Sequence, residues 1–198
     1  LSGPGDAEGP GEGALCLVPL LRGPGGEVLP TIQVPALVRG RLKVLPFAPV
    51  RPGLGSLLPH DYCGLYERRR FQATGGYDPA LANPYWQRLD FGVRCALWGE
   101  RIPWHERLEL RYLEPPEADD TSADASYKPF YLKNLAVRFD GEGGVLRLSR
   151  WPTYALRSGS GLLQSLREFR DAQEWVKRHR YRFKTDVAGL VNRWELPG

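Results

Sequence analysis

The sequence predicts an α/β domain. Short apolar runs with strand character alternate with segments of helical periodicity, the pattern of a sheet flanked by helices. The 23 glycines and 18 prolines among 198 residues demand many turns and weigh against a helical bundle. Hydrophobic residues make up 42% and charged residues 25%, so the chain can bury a core and is not disordered as a whole.

Residues 1–13, rich in Gly, Pro and acids, read as a flexible tail. Residues 14–21 (ALCLVPLL) read as a buried strand, followed by a Gly-Gly turn. Residues 28–38 are extended but interrupted by Pro30 and Pro35, which suits an edge. Residues 39–59 are punctuated by Pro and Gly and read mostly as loop. Residues 61–66 (DYCGLY) form the candidate central strand, with Gly64 marking a close approach.

A short helix then runs from Glu67 to Thr74 and stops at Gly75-Gly76 through a left-handed cap. Asn83 caps a second helix that starts at Pro84 and ends before Gly99. Trp86, Leu89, Val93 and Leu97 give it helical spacing. Leu108, Leu110 and Tyr112 alternate with charges as a half-buried strand. Residues 114–124 form an acidic surface loop. A helix is expected over about 125–139 and a strand over 145–151. A helix after Ser158-Gly-Ser-Gly carries the stripe Leu162, Leu166, Phe169 and Val176. A last helix spans 185–194.

The net charge of +4, from 27 basic and 23 acidic residues, is not the one-sided field of a dedicated nucleic-acid binder. Cys16, Cys63 and Cys95 are an odd set without CxxC spacing, which reads as free thiols in a reducing, cytoplasmic compartment. There is no signal peptide pattern and no apolar run of spanning length. The chain has no methionine, so it is expected to be a fragment or processed product of something longer.

Within one helix, Trp86, Asp90 and Arg94 stand at i, i+4 and i+8 on one face. The spacing suits a surface ion pair. It equally suits a carboxylate that accepts a bond from a substrate hydroxyl, if the helix borders a cleft. Arg68, Arg69 and Arg70 form either a phosphate cradle or a solvated face. The Asp119, Asp120 and Asp124 loop reads as solvated rather than as a metal site. Residues 174–184 interleave basic residues with Trp175, Tyr181 and Phe183, which suits a core helix with a basic exterior, a single-stranded nucleic acid or a membrane surface.

The ordered set Arg68 to Arg70, Phe71, Gly75, Gly76, Tyr77, Asp78, Leu89, Asp90, Phe91, Arg94 and Gly99 resembles the acceptor-side half of family-2 glycosyltransferases. The resemblance implies part of a GT-A type nucleotide-diphospho-sugar transferase fold, a mixed sheet flanked by helices. Residues 14–115 would be this core and residues 116–198 an extension, largely helical at its end. It implies transfer of a sugar from a nucleotide-sugar to a glycan or lipid-linked acceptor, with this chain supplying the acceptor side. Asp90 would be the catalytic base. Trp86, Arg94, Gly75, Gly76 and Asp61 would bind substrate, Trp86 by stacking on a sugar ring.

Two departures accompany the resemblance. Gln87 and Arg88 fall where the family carries its Glu-Asp pair, and a guanidinium is no base at neutral pH. No Asp-x-Asp occurs, so no cofactor is expected within this chain. The Mg or Mn ion that the family implies would come with an upstream donor half or a partner chain. A non-catalytic scaffold or binding domain derived from the same fold is the alternative, and a basic module binding nucleic acid or a membrane surface is the next.

Overall fold

The computed structural model describes residues 13–196, so the expected tail lies almost wholly outside the described residues. A three-stranded mixed sheet forms the base. Its middle strand, β1 (Cys16–Arg22), pairs antiparallel with β4 (Leu65–Tyr66) and parallel with β5 (Trp104–Arg111). A separate hairpin joins β2 (Ile32–Val38) to β3 (Arg41–Phe47) through Arg39-Gly40, both at positive φ. Two helices follow β4: α1 (Arg68–Thr74) and α2 (Pro84–Leu97). After β5 come α3 (Tyr127–Phe130), continued by a π-helical turn over Tyr131–Leu135, and the short hairpin β6 (Arg138–Phe139) and β7 (Gly144–Val145). The chain ends in α4 (Trp151–Ser158), α5 (Leu162–Arg178) and α6 (Val187–Asn192). A mixed sheet flanked by helices is the fold class expected from the sequence.

The expectations at three places are corrected. Residues 61–66 are not a central strand. Asp61 and Tyr62 take left-handed backbone angles just after Pro59, and only Leu65 and Tyr66 pair at an edge. The central strand is β1. Residues 41–47 are a strand rather than loop, because Pro35 and Pro46 leave the rest of the β2–β3 ladder intact. Of the strand expected over 145–151 only Val145 pairs, in β7; Leu148–Arg150 form a 3-10 turn that leads into a helix over Trp151–Ser158, with Pro152 in its first turn.

Helices α1 and α2 end where the sequence predicts, and Glu67, expected inside α1, caps it instead. The Glu67 carboxylate accepts from the Arg69 and Arg70 N–H groups, and Gly75 caps α1 at φ 83°. Asn83 Oδ1 accepts from the Tyr85 and Trp86 N–H groups, with Pro84 in the first turn of α2. Gly64 is a close approach: a Cβ there would lie 2.4 Å from Cys16 Sγ.

Helix α2 is the organising element, sandwiched between two cores. Phe91 and Cys95 face Leu15, Cys16, Val18, Ile32 and Ile102 on the sheet side. Trp86, Leu89, Val93 and Leu97 face Phe130, Leu132, Phe169 and Val176 on the helical side. Ten of its fourteen residues are buried, so Arg88, Asp90 and Arg94 must find partners inside the protein. On α5 the buried stripe is Ser165, Phe169, Ala172 and Val176, while Leu162 is exposed, contrary to expectation.

Gly92 marks the tightest packing on α2. A Cβ there would lie 2.4 Å from the Leu57 carbonyl oxygen and 2.7 Å from Leu58 Cβ. Alanine gains about 1 kcal/mol of helix propensity but overpacks at a cost of about 3 kcal/mol. Gly92→Ala is therefore expected to lower stability by about 2 kcal/mol and the thermal midpoint by roughly 4–8 °C, read by thermal denaturation.

Candidate functional site

The stripe Asp90, Arg94 and Trp98 on α2 borders a cleft of about 200 Å³. Its other walls come from distant segments: Thr74 and Gly75 after α1, Asp78 and Pro79 beyond them, Lys133 from the π-helical turn, and Trp175 and His179 from the end of α5. At roughly 30 Å³ per water, this volume equals about six or seven waters, the scale of one small polar ring.

Asp90 is 1% exposed and is held from two sides. Arg94 Nε and Nη2 each donate to Oδ2 at 3.3 Å, and Asn134 Nδ2 donates to Oδ1 at 2.7 Å. A carboxylate offers about four lone-pair sites, so these three bonds leave one on Oδ1 for a further donor. Arg94 also donates to the Thr74 carbonyl, and to the Gly76 carbonyl at 2.6 Å. The guanidinium thus ties the acid to the turn after α1. The pair expected from spacing exists, but both side chains are buried.

Beside the acid lies a second charge pair. Lys133 Nζ donates to Asp78 Oδ2 at 2.8 Å and sits 5.4 Å from the centre of the Trp175 ring. Burial opposes the charge on Asp78, but the Lys133 bond and the Ala80 N–H outweigh it and hold the carboxyl below its usual range. Trp98 stacks on Trp175 and His179 with interplanar angles of 18° to each. The cleft therefore sets fixed cations against its indoles, Lys133 beside Trp175 and Arg94 5.6 Å from the Trp98 ring centre.

His179 Nδ1 lies 2.8 Å from the Trp175 carbonyl. That oxygen can only accept, so Nδ1 carries the proton in the neutral ring. Burial lowers the His179 pKa below its ordinary 6.5. The Trp175 carbonyl opposes this, and Arg182, Arg178 and Arg94 reinforce it. Burial, reinforced by Arg88, lowers His60 in the same direction. The unfolded chain then takes up these protons first as pH falls. Stability is expected to decline as pH drops through and below about 6.5, before the carboxylates titrate. Urea unfolding between pH 8 and pH 5 checks this, with a flatter profile expected for His179→Gln.

The structure brings Asp90, Arg94 and Gly75 together at the cleft, with Gly76 joined through its carbonyl. It does not bring Trp86 there, which corrects the expected stacking role. Trp86 is 8% exposed, packed against Tyr127 and Phe130, and its Nε1 donates to the Ser122 carbonyl at 2.7 Å. The loop over 114–124 closes on it, so the aromatic of this stripe that reaches the cleft is Trp98, two turns from Asp90. Asp61 belongs to another cluster, where it accepts from Tyr112 Oη at 3.0 Å and stands 4.0 Å from Arg88.

Arg88, at the departure from the family pattern, is buried and fully engaged. It donates to Asp119 and to the Pro84 carbonyl, and its guanidinium lies 5.3 Å from the Tyr62 ring centre. Asp120 and Asp124 accept from N–H groups of their own turns. Among the described residues, no three His, Cys, Asp or Glu side chains converge as metal ligands. Arg68 to Arg70 are exposed, and Arg70 pairs with Glu100. Burial pushes the Cys16 and Cys95 thiols up to about 12. In the 174–184 segment Phe183 is buried and Trp175 serves the cleft, so of its three aromatics only Tyr181 faces outward.

Lys133, Trp98, Trp175 and His179 were not in the expected site. Trp98 carried a signal, standing at i+8 from Asp90. The other three are assembled only by tertiary packing.

No family model matches the chain, and no curated protein matches it. Among solved structures it is similar to GalNAc-T7, solved with UDP, GalNAc and Mn2+. The identity is 16% and the TM-score 0.45, over 94% of this chain and 37% of that one, so this chain spans little more than a third of that protein's length.

Proposed function

We propose that the Asp90 cleft receives the acceptor in a glycosyltransferase-like domain, this chain supplying the acceptor side. The observation that supports the reading is a buried carboxylate with a spare lone pair, bordering a cleft walled by indole rings. A pyranose presents C–H groups to an aromatic face and hydroxyls to charges, and this cleft offers both. Asp78 and Lys133 suit hydroxyls at the rim, and Trp175 suits the ring face.

In the reaction, the acceptor hydroxyl gives its proton to Asp90 Oδ1 as its oxygen bonds to the anomeric carbon of the donor. The bond from that carbon to the diphosphate breaks, and the nucleoside diphosphate leaves with the electron pair. Arg94 and Asn134 orient Asp90 throughout. The donor nucleotide-sugar and a Mg or Mn ion belong to residues beyond this set. Among the described residues no three His, Cys, Asp or Glu side chains converge to hold that ion.

A non-catalytic sugar-binding scaffold is the second reading. Arg88, locked where the family pattern places an acid, favours it. Incubating the full-length parent, donor-binding residues included, with a panel of nucleotide-sugars, divalent ions and glycan acceptors, while following nucleoside diphosphate release, separates the two. Acceptor-dependent release that Asp90→Asn abolishes supports transfer. Sugar binding without release on any pair supports the scaffold, and absence of both refutes the sugar reading.

A further inference from the structure

The tip of the α4–α5 hairpin carries three leucines that the fold leaves uncovered by any described residue. Leu156, near the end of α4, is 89% exposed; Leu162 and Leu163, which open α5 beyond the Gly159–Gly161 turn, are 70% and 77% exposed. Leu148, Pro152 and Leu156 stand four residues apart and continue the apolar surface along α4. The opposite side of α4 is spent on the core. Tyr154 is buried, stacks on Tyr131 and donates to Glu168 at 2.6 Å.

The charges around this apolar tip are predominantly positive. From Arg147 through Arg167 the chain holds Arg147, Arg150, Arg157 and Arg167 and no acidic residue. Lys128 adds another cation at the turn, where its Nζ donates to Ser160 Oγ at 2.7 Å. The first acid, Glu168, is engaged by Tyr154, Ser160 and Gln164. Isolated exposed leucines are ordinary, but a cluster in a stretch whose arginines pair with no described acid is not.

We infer that this tip docks the protein on an anionic phospholipid surface, the leucines entering the headgroup region and the arginines meeting lipid phosphates. Charge complementarity selects that occupant. A second copy of the chain would bring like charge against like charge. A bilayer accepts apolar side chains and neutralises the arginines together. The inference stands apart from the Asp90 cleft and does not depend on it.

Co-sedimentation of the full chain with sucrose-loaded vesicles tests it. The probes are phosphatidylcholine containing about a quarter phosphatidylglycerol, and phosphatidylcholine alone. The expected result is binding to the anionic vesicles that weakens as salt rises and is much weaker on the neutral ones. Replacing Leu156, Leu162 and Leu163 together by Ser is expected to cost at least tenfold in binding. Arg147→Gln with Arg157→Gln is expected to cost roughly 25-fold, about fivefold per charge. All five side chains are exposed, and circular dichroism verifies that the variants fold. The inference is overturned by no binding to either vesicle, by leucine and arginine variants that bind undiminished, or by leucine-dependent dimerisation without lipid binding.

Discussion

Arg94→Met is expected to destabilise the protein by about 3–5 kcal/mol, the usual consequence of removing one partner of a buried ion pair. The loss has two sources. Asp90, 1% exposed, is left as a buried charge with only Asn134 as partner. The Thr74 and Gly76 carbonyls lose the donor that anchors the turn after α1. Since whole domains are stable by only about 5–15 kcal/mol, this one change removes a large share. Urea unfolding measures it.

Two companion variants separate those sources. Arg94→Lys keeps the charge but not the planar fork that reaches three oxygens at once, so an intermediate loss is expected. Asp90→Leu combined with Arg94→Met removes the charge imbalance, and most of the stability is expected to return. A loss below about 1 kcal/mol for Arg94→Met, the size typical of an exposed pair, would contradict the buried network described here.

Asp90→Asn carries the second large effect. Asn preserves the shape and still accepts the Asn134 bond, but it takes up no proton. If Asp90 is the base, turnover is expected to fall by about 10²–10⁴, with acceptor affinity changed far less. The variant also leaves Arg94 unneutralised, so kinetics belong at a temperature where circular dichroism shows it folded. The split between kcat and KM then separates base from mere structure. Equal turnover by the variant and the parent would remove Asp90 from the chemistry.

Much of this site was legible in the sequence because its framing is local. The Asn83 cap, Pro84, and the stops at Gly75 and Gly99 each follow from one or two residues, and all stand where expected, while Glu67, expected inside α1, caps it instead. Asp90 and Arg94 follow from helical spacing. What spacing could not say is that α2 is buried on nearly every side. That depends on segments after position 120 closing over it, and it turns an apparent surface pair into an interior one. It also removes Trp86 from solvent and leaves Trp98 as the cleft's indole on that helix.

The misread stretches share a cause as well. Residues 61–66 have the composition of a strand, yet the left-handed turn at Asp61 and Tyr62 spends most of them before pairing begins. Residues 41–47 looked like loop because Pro46 and the neighbouring glycines dominate a short window, whereas their pairing with β2 is tertiary information. Lys133 reaches the cleft from a π-helical turn, and such a turn leaves no periodic signature in sequence.

The central claim, that this cleft holds a sugar, is tested most directly by titrating oligosaccharides into the ¹⁵N-labelled protein and following the tryptophan indole resonances. The account expects saturable shifts at Trp98 and Trp175 that persist in Asp90→Asn and weaken strongly in Lys133→Ala, with the other indoles unmoved. Indole resonances that stay fixed at all sugar concentrations, or that shift only away from the cleft, would contradict it.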